Sequence, residues 1–494
     1  MVKMKSKKEK RKQKLKARSK RAREMREGVI EKYNKKKDIF TYGKRLTRRQ
    51  FDAYCYCRMP LVRFTAHEVE WYSLFDNKLL GVVIMDVTDE DYGFIILGRD
   101  ARKLFRCIDI CSGFYRTAIE ARKALALKIS ESYKGNIKDV YPQNDEVDVG
   151  FNLFTDVIPE SEQHRGYKIL KNEIRFEAAR NIISEIVNSF IDNDGHYERE
   201  FQSVNFQAKL WELYLHMYIH NAGLAIENNH AAPDFEVNDF GKKYFIEAVT
   251  ANPSTNSQRP DLPAPQSHEE IQERLDNFMP IKFGSPLYSK LCKKYWEKEH
   301  VSGNPLILAI HDYHNDNAMT WSRTALSDYL YGIRNRIVGG KATLEKVEKH
   351  VWDGKEIPSG FFYQEHAENI SAVLFSNQAT IPKFNRMGKL AGLGSNGVKM
   401  IRNGYLYNPD PDAIYPIPFS KDVDDPDYEE SWSEGLIMFH NPNANNPVDI
   451  NSFSDISHIF YSEEKGFYGH HQAFDVLGSV TIVISHHDKD IKDA

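Results

Sequence analysis

Residues 206–312 constrain the fold more than any other part of the chain, because the hydrophobic period changes there in a fixed order. A helix is predicted over 206–221, with Leu210, Trp211, Leu213, Tyr214 and Tyr218 among its apolar positions and Gly223 as its stop. Short strands are predicted at 224–227 and from 234 to 237, then a turn at Phe240-Gly241-Lys242 and an apolar strand at 244–250. Residues 252–265 hold four prolines among small polar residues and read as loop. Helices at 269–278 and 286–300 and a buried strand at 306–312 complete the order: helix, three strands, helices, strand.

Acidic residues interrupt the apolar runs of this segment. Glu247 is flanked by Phe245, Ile246, Ala248 and Val249, and a carboxylate in so apolar a strand is unfavourable unless paired or bound to a metal. Glu212 sits similarly between Trp211 and Leu213. Asp234 opens one strand of a hairpin and Glu247 lies near the end of the next, so the two can meet at one sheet edge. Cleaving a phosphodiester requires a cation that polarises the phosphoryl oxygen and acidifies an attacking water. Magnesium takes one or two carboxylates plus waters and phosphate oxygens, so a sparse acidic cluster suffices. The plainer alternative is that Glu212 and Glu247 are buried acids paired with Lys209, Arg274 or backbone donors.

On these residues the segment resembles the PD-(D/E)XK nuclease superfamily. The resemblance spans residues 206–312, less than a quarter of the chain. It implies an α/β, restriction-endonuclease-like αβββαβ core with a mixed sheet. It also carries Glu212, Asp234 and Glu247 onto the three acids that bind Mg2+ or Mn2+. The family's lysine belongs two residues past Glu247, where this chain has Val249. Side chains alternate along a strand, so Val249 shares Glu247's face and the site lacks its cation there. Lys209, three residues before Glu212 on the same helix face, is the preferred catalytic substitute. Lys243 shares Glu247's strand face but lies four residues away, and Lys290 in the following helix is a third candidate. The implied activity is metal-dependent endonucleolytic hydrolysis of DNA, with RNA less favoured, in restriction or defence. The rival is a non-catalytic nucleic-acid-binding or adaptor protein on a degenerate nuclease fold, with Val249 as its mark. Glu247-Ala248-Val249-Thr250 and Trp321-Ser322-Arg323 also resemble a family of large bacterial proteins, a likeness that implies no activity.

Residues 38–150 read as a small α/β unit, with strands at 70–75, 79–86, 92–97 and 103–110 and a helix at 117–132. A meander followed by a helix is similar to acetyltransferase-like folds, but Lys134-Gly135-Asn136 is too slight for their pyrophosphate loop. The unit is therefore expected to be an accessory or recognition domain that selects a target or a protein partner, with 144–149 as linker. In the C-terminal third, 370–375, 436–440 and 480–485 read as buried strands extending the nuclease-like sheet, and 408–430 as surface loop. The expected organisation is a basic arm at 1–37, the accessory domain at 38–150, and an α+β remainder at 151–494 built on the core.

Charge is divided unevenly. Residues 1–37 hold 18 Lys or Arg against 4 Glu, a local +14 that leaves −17 on the rest of a chain whose net charge is −3. A basic arm on an acidic body suits contact with a polyanion through the arm, and it suits a solvated tail as well. Nucleic acid, DNA in preference to RNA, is the expected partner of the arm and the acidic cleft. The longest apolar runs are far too short to cross a bilayer, and the basic N-terminus has no apolar segment behind it. Five cysteines do not make a disulfide framework in a chain this long, so a cytoplasmic location without a membrane partner is expected. Cys55, Cys57, Cys107 and Cys111 lack common zinc spacing and read as small apolar residues. His311-Asp312-Tyr313-His314 and His440-Asn441 read as turns beyond buried strands, with lining of the acidic cleft as the lesser alternative, and Gly392-x-Gly394-x-x-Gly397 as a turn with no strand before it.

Overall fold

The computed structural model describes residues 43–485 except 57, 59, 147–149, 194, 228, 255–261, 264, 316–320, 339–340, 411–412 and 414. The basic arm 1–37, Cys57, and parts of the linker and of the loop at 252–265 lie outside the described residues. Two units divide the chain, Met1–Phe51 with Leu61–Val147, and Asp52–Pro60 with Asp148–Ala494.

In the first unit, β1 (Gly43–Leu46), β2 (Ala66–Leu74), β3 (Leu79–Asp86), β4 (Tyr92–Arg99) and β5 (Phe105–Ile110) pair in sequence order. All four pairings are antiparallel. Helix α1 (Ala118–Lys128) starts at Thr117, whose hydroxyl accepts the Glu120 amide. Ala121 and Leu125 of α1 pack with Val83, Phe94 and Ile96 of the sheet. The expected meander and helix are present, but β2 begins earlier than expected. Asp52–Pro60, expected inside this unit, groups with the second one: Ala53 and Tyr56 fill that unit's core.

The second unit contains α2 (Glu177–Val187), α3 (Phe206–Ala222), β6 (Ala225–Glu227), β7 (Phe235–Asp239) and β8 (Lys242–Ala251). After them come α4 (His268–Glu273), α5 (Met279–Leu291), β9 (Leu306–Asp312), β10 (Ala372–Ser376) and α6 (Ile381–Leu390). Strands β11 (Val398–Leu406), β12 (Ile417–Asp422), β13 (Ile437–His440), β14 (Ser457–Ser462), β15 (Gly466–His470) and β16 (Val476–Ser485) follow. Eight strands form one mixed sheet in the order β15-β14-β13-β10-β9-β8-β7-β6. Strands β6, β7 and β8 make an antiparallel meander, while β8 runs parallel to β9 and β9 to β10. A parallel neighbour needs a crossover, and α4 and α5 supply it between β8 and β9.

Helices cover both faces of this sheet. Ile246, Ile307, Ala309 and Leu374 pack with Trp211 and Leu215 of α3 on one side. Phe245, Leu308, Ile310 and Phe375 pack with Phe283 and Leu287 of α5 on the other. Two buried faces explain why β8 and β9 read as unbroken apolar runs.

Three expectations need correction. The helix expected at 286–300 ends at Leu291 and begins before Pro286, because helical structure continues from α4 through a π-helical turn at Arg274–Phe278 into α5. Pro286 has no N–H to donate, yet burial of Phe283 and Leu287 beside it holds the helix together, and Ser285 Oγ donates to the Ile281 carbonyl. β16 does not extend the large sheet; it pairs with β11 in a separate three-stranded sheet, β12-β11-β16. Residues 408–430 are not all loop, since β12 forms there as an edge strand that accommodates Pro418.

Candidate functional site

Glu212, Asp234 and Glu247 reach one end of the β7–β8 hairpin by three local devices. Helix α3 ends at Gly223, whose φ of 81° permits the Leu224 N–H to bond the Ile219 carbonyl and the Gly223 N–H the His220 carbonyl. The Trp211 indole N–H donates to the Ala309 carbonyl at 2.9 Å and fixes α3 over β9, which places Glu212. Asp234 follows the cis Ala232–Pro233 bond and immediately precedes β7. Phe235 pairs with Ile246, so one step further along the hairpin Asp234 lies opposite Glu247. The Ala248 N–H donates to Asp234 Oδ2 at 2.7 Å and ties the two strand ends together.

Glu247 is 3% exposed and projects on the α5 side. Its Oε1 accepts from the Lys290 ammonium and, at 2.6 Å, from the Tyr295 hydroxyl. Its Oε2 is buried with no hydrogen-bond partner among the described residues. Asp234 likewise commits one oxygen, Oδ2, to protein and keeps a face open to solvent. Glu212 differs: Lys209 Nζ lies 3.0 Å from Oε1 and 3.2 Å from Oε2. Lys209 also meets Glu200 at 2.9 Å and sits 5.0 Å from the centre of the Tyr197 ring.

The three acids feel one another. Partial desolvation by the surrounding protein, limited by the face that Asp234 keeps open to solvent, and the charges of Glu247 and Glu212 raise its carboxyl above the carboxylate range. The Ala248 amide and Lys290 oppose that rise without cancelling it. Burial pushes Glu212 up to about 7 against the pull of Lys209, with Glu200 and Glu247 adding to the rise. Burial alone would lower the Lys209 ammonium, but Glu212 and Glu200 outweigh it and hold the ammonium above its ordinary range. A concentration of like charge this unfavourable marks a place where a cation or a proton is wanted.

Among the described residues no group of three or more His, Cys, Asp or Glu is placed to hold a metal ion. What the donor set fits is a sparser site of two carboxylates, Asp234 and Glu247, each with an oxygen left open. Val249 packs in the core beneath α5 and leaves no cation on the strand. Lys290 reaches Glu247 from α5, whereas Lys209, preferred from the sequence, is engaged by Glu212 and Glu200. Lys243 points elsewhere, to Glu236 and Glu227. Arg274 pairs with Glu270 and the Pro263 carbonyl, not with the three acids.

No described contact joins the histidine groups to the three acids; His311, Asp312 and His440 are strand residues, while Tyr313, His314 and Asn441 lie just past the strand ends as expected. His311 lies inside β9, accepts the Ala379 amide at 2.9 Å and is held down to about 3 by burial. Asp312 ends β9 and accepts from His314 at 2.7 Å and from Ser322. His440 ends β13 and bonds His458 at 2.9 Å. Cys55 and Cys111 are buried, as small apolar packing requires, while Cys107 is exposed. The sequence reading missed Tyr295 and Tyr197. Tyr197 donates to the Lys209 carbonyl at 2.6 Å, and burial, Glu212 and Asp234 are among the causes that raise its phenol. Neither tyrosine has a fixed spacing from the acids, so no motif points to it. Among the described residues no helix is long and apolar enough to cross a membrane. Comparison with protein-family models, curated proteins and solved structures finds no match for this chain.

Proposed function

We propose that the acidic end of the β7–β8 hairpin is the divalent-cation site of an endonuclease that hydrolyses phosphodiester bonds in DNA. The observation that carries this reading is the pair of open oxygens on Asp234 and Glu247, one of them a buried carboxylate oxygen with no protein donor. The order α3-β6-β7-β8-α4-α5-β9 supports it, since it is the order implied by the resemblance to PD-(D/E)XK nucleases. A bound Mg2+ or Mn2+ would polarise the phosphoryl oxygen and acidify the attacking water. Asp234 and Glu247 would hold the ion. Glu212, anchored by Lys209, keeps negative potential on Asp234. Lys290 balances Glu247 and supplies the ammonium that Val249 does not. The basic arm would engage the phosphate backbone of the DNA.

A second reading has its own support. A degenerate nuclease fold serving as a nucleic-acid-binding adaptor accounts for Val249 and for the absence of a three-acid group among the described residues. Incubating supercoiled plasmid with the protein and Mg2+ or Mn2+ separates the two. Metal-dependent nicking should fall by more than about 100-fold in Asp234→Asn and in Glu247→Gln, beyond what loss of a supporting residue alone gives. Intact plasmid together with undiminished DNA binding would establish the adaptor instead.

A further inference from the structure

The two oxygens of Glu247 are treated differently by the protein. Oε1 takes two donors, the Lys290 ammonium and the Tyr295 hydroxyl, and Oε2 takes none. The donors are not equivalent. An ammonium is a rotating point charge that attracts a carboxylate without fixing its plane, whereas a phenol O–H on a packed ring is a directional donor. Tyr295 is 5% exposed and belongs to the core beneath α5. It stands at the head of the short 3-10 turn Tyr295–Glu297, just after Lys294 turns the chain with a φ of 49°. Packing therefore fixes the ring, the ring fixes its hydroxyl, and the 2.6 Å bond fixes Oε1. Because a carboxylate is planar, pinning one oxygen sets the direction of the other.

We infer that Tyr295 is a positioning residue that holds Glu247 by Oε1 and so keeps Oε2 free of protein donors and available to a divalent cation. This rests on the metal-site reading above. The ring alone satisfies the core, so the hydroxyl is the only part of Tyr295 that packing leaves unexplained. Donors that orient a liganding side chain from outside the coordination sphere typically account for about 10–100-fold in metal affinity.

The test is a Mn2+ titration of the full chain, read by the loss of the free-ion electron paramagnetic resonance signal, with urea midpoints recorded on the metal-free proteins. Tyr295→Phe keeps the ring and should weaken Mn2+ binding by about tenfold with unchanged stoichiometry, while Glu247→Gln should weaken it more. A role confined to packing would move the urea midpoint and leave the Mn2+ midpoint where it was. If Tyr295→Phe binds Mn2+ within about twofold of the wild type, the positioning role fails and the metal site stands. If the wild type itself binds no Mn2+, both fail together.

Discussion

At Glu212, burial and two neighbouring carboxylates favour the neutral acid, Lys209 favours the anion, and the balance lies at about 7. In the unfolded chain the same group titrates near ~4.3. The folded protein thus binds this proton more tightly than the unfolded one. The associated stability is full below the unfolded value and is lost as pH rises through the folded one. In the absence of divalent cations the wild type should lose about 2 kcal/mol relative to Glu212→Gln between about pH 5 and pH 8, measured by urea unfolding. Parallel pH profiles for the two proteins would show that Glu212 carries no such proton. Lys290 poses the reciprocal problem. Lys290→Met leaves Glu247 buried with Tyr295 as its remaining donor and should destabilise by about 2–3 kcal/mol, somewhat below a fully buried pair because Lys290 keeps partial exposure. Lys290→Met combined with Glu247→Gln should recover most of that loss, and failure to recover would mean the two side chains are not coupled.

Elements decide how the acids meet. The left-handed Gly223 closes α3 and turns the chain into β6, so Gly223→Ala places a Cβ where an L residue is strained. It should destabilise the protein by about 1 kcal/mol, visible as a lower denaturant midpoint with unchanged slope. Sequence periodicity locates β8 and β9 well because strands buried on both faces carry their signal in every residue. It places Asp234 and Glu247 at one edge because hairpin pairing is local. It joins β16 to the wrong sheet for a physical reason: an apolar strand does not encode which neighbour it bonds, and β16 is held by β11 and by the bond from Arg386 to Thr481. Lys290 ranks third in the sequence because its reach to Glu247 depends on how α5 packs over β8, which no spacing records. Tyr295 depends wholly on how α5 returns over the sheet, a tertiary fact that leaves no spacing to read.

For the whole molecule, the division into units is not the division of the sequence into consecutive blocks. Asp52–Pro60 contributes Ala53 and Tyr56 to the core of the second unit although nearly ninety residues of the first unit follow it. A fragment beginning at residue 148 should therefore unfold at lower urea than the same unit in the intact chain, with the Tyr56 and Ala53 positions emptied. Equal midpoints would assign Asp52–Pro60 no structural role. The +14 charge of residues 1–37 belongs to the same scale. On the proposed DNA-binding role, removing the arm should flatten the dependence of DNA affinity on salt, by about 0.9 in slope for each phosphate that the arm neutralises. An unaltered slope would relieve the arm of that role.

Glu247 and Asp234 also differ in how firmly the backbone carries them. β8 is hydrogen-bonded to β7 on one side and to β9 on the other, whereas Asp234 lies just outside β7. Amide exchange at Glu247 should await opening of the whole sheet, while the turn leading into Asp234 can open locally. Mild denaturant would then take away one acid long before the other, and the proposed cation site would come apart while the sheet remained intact.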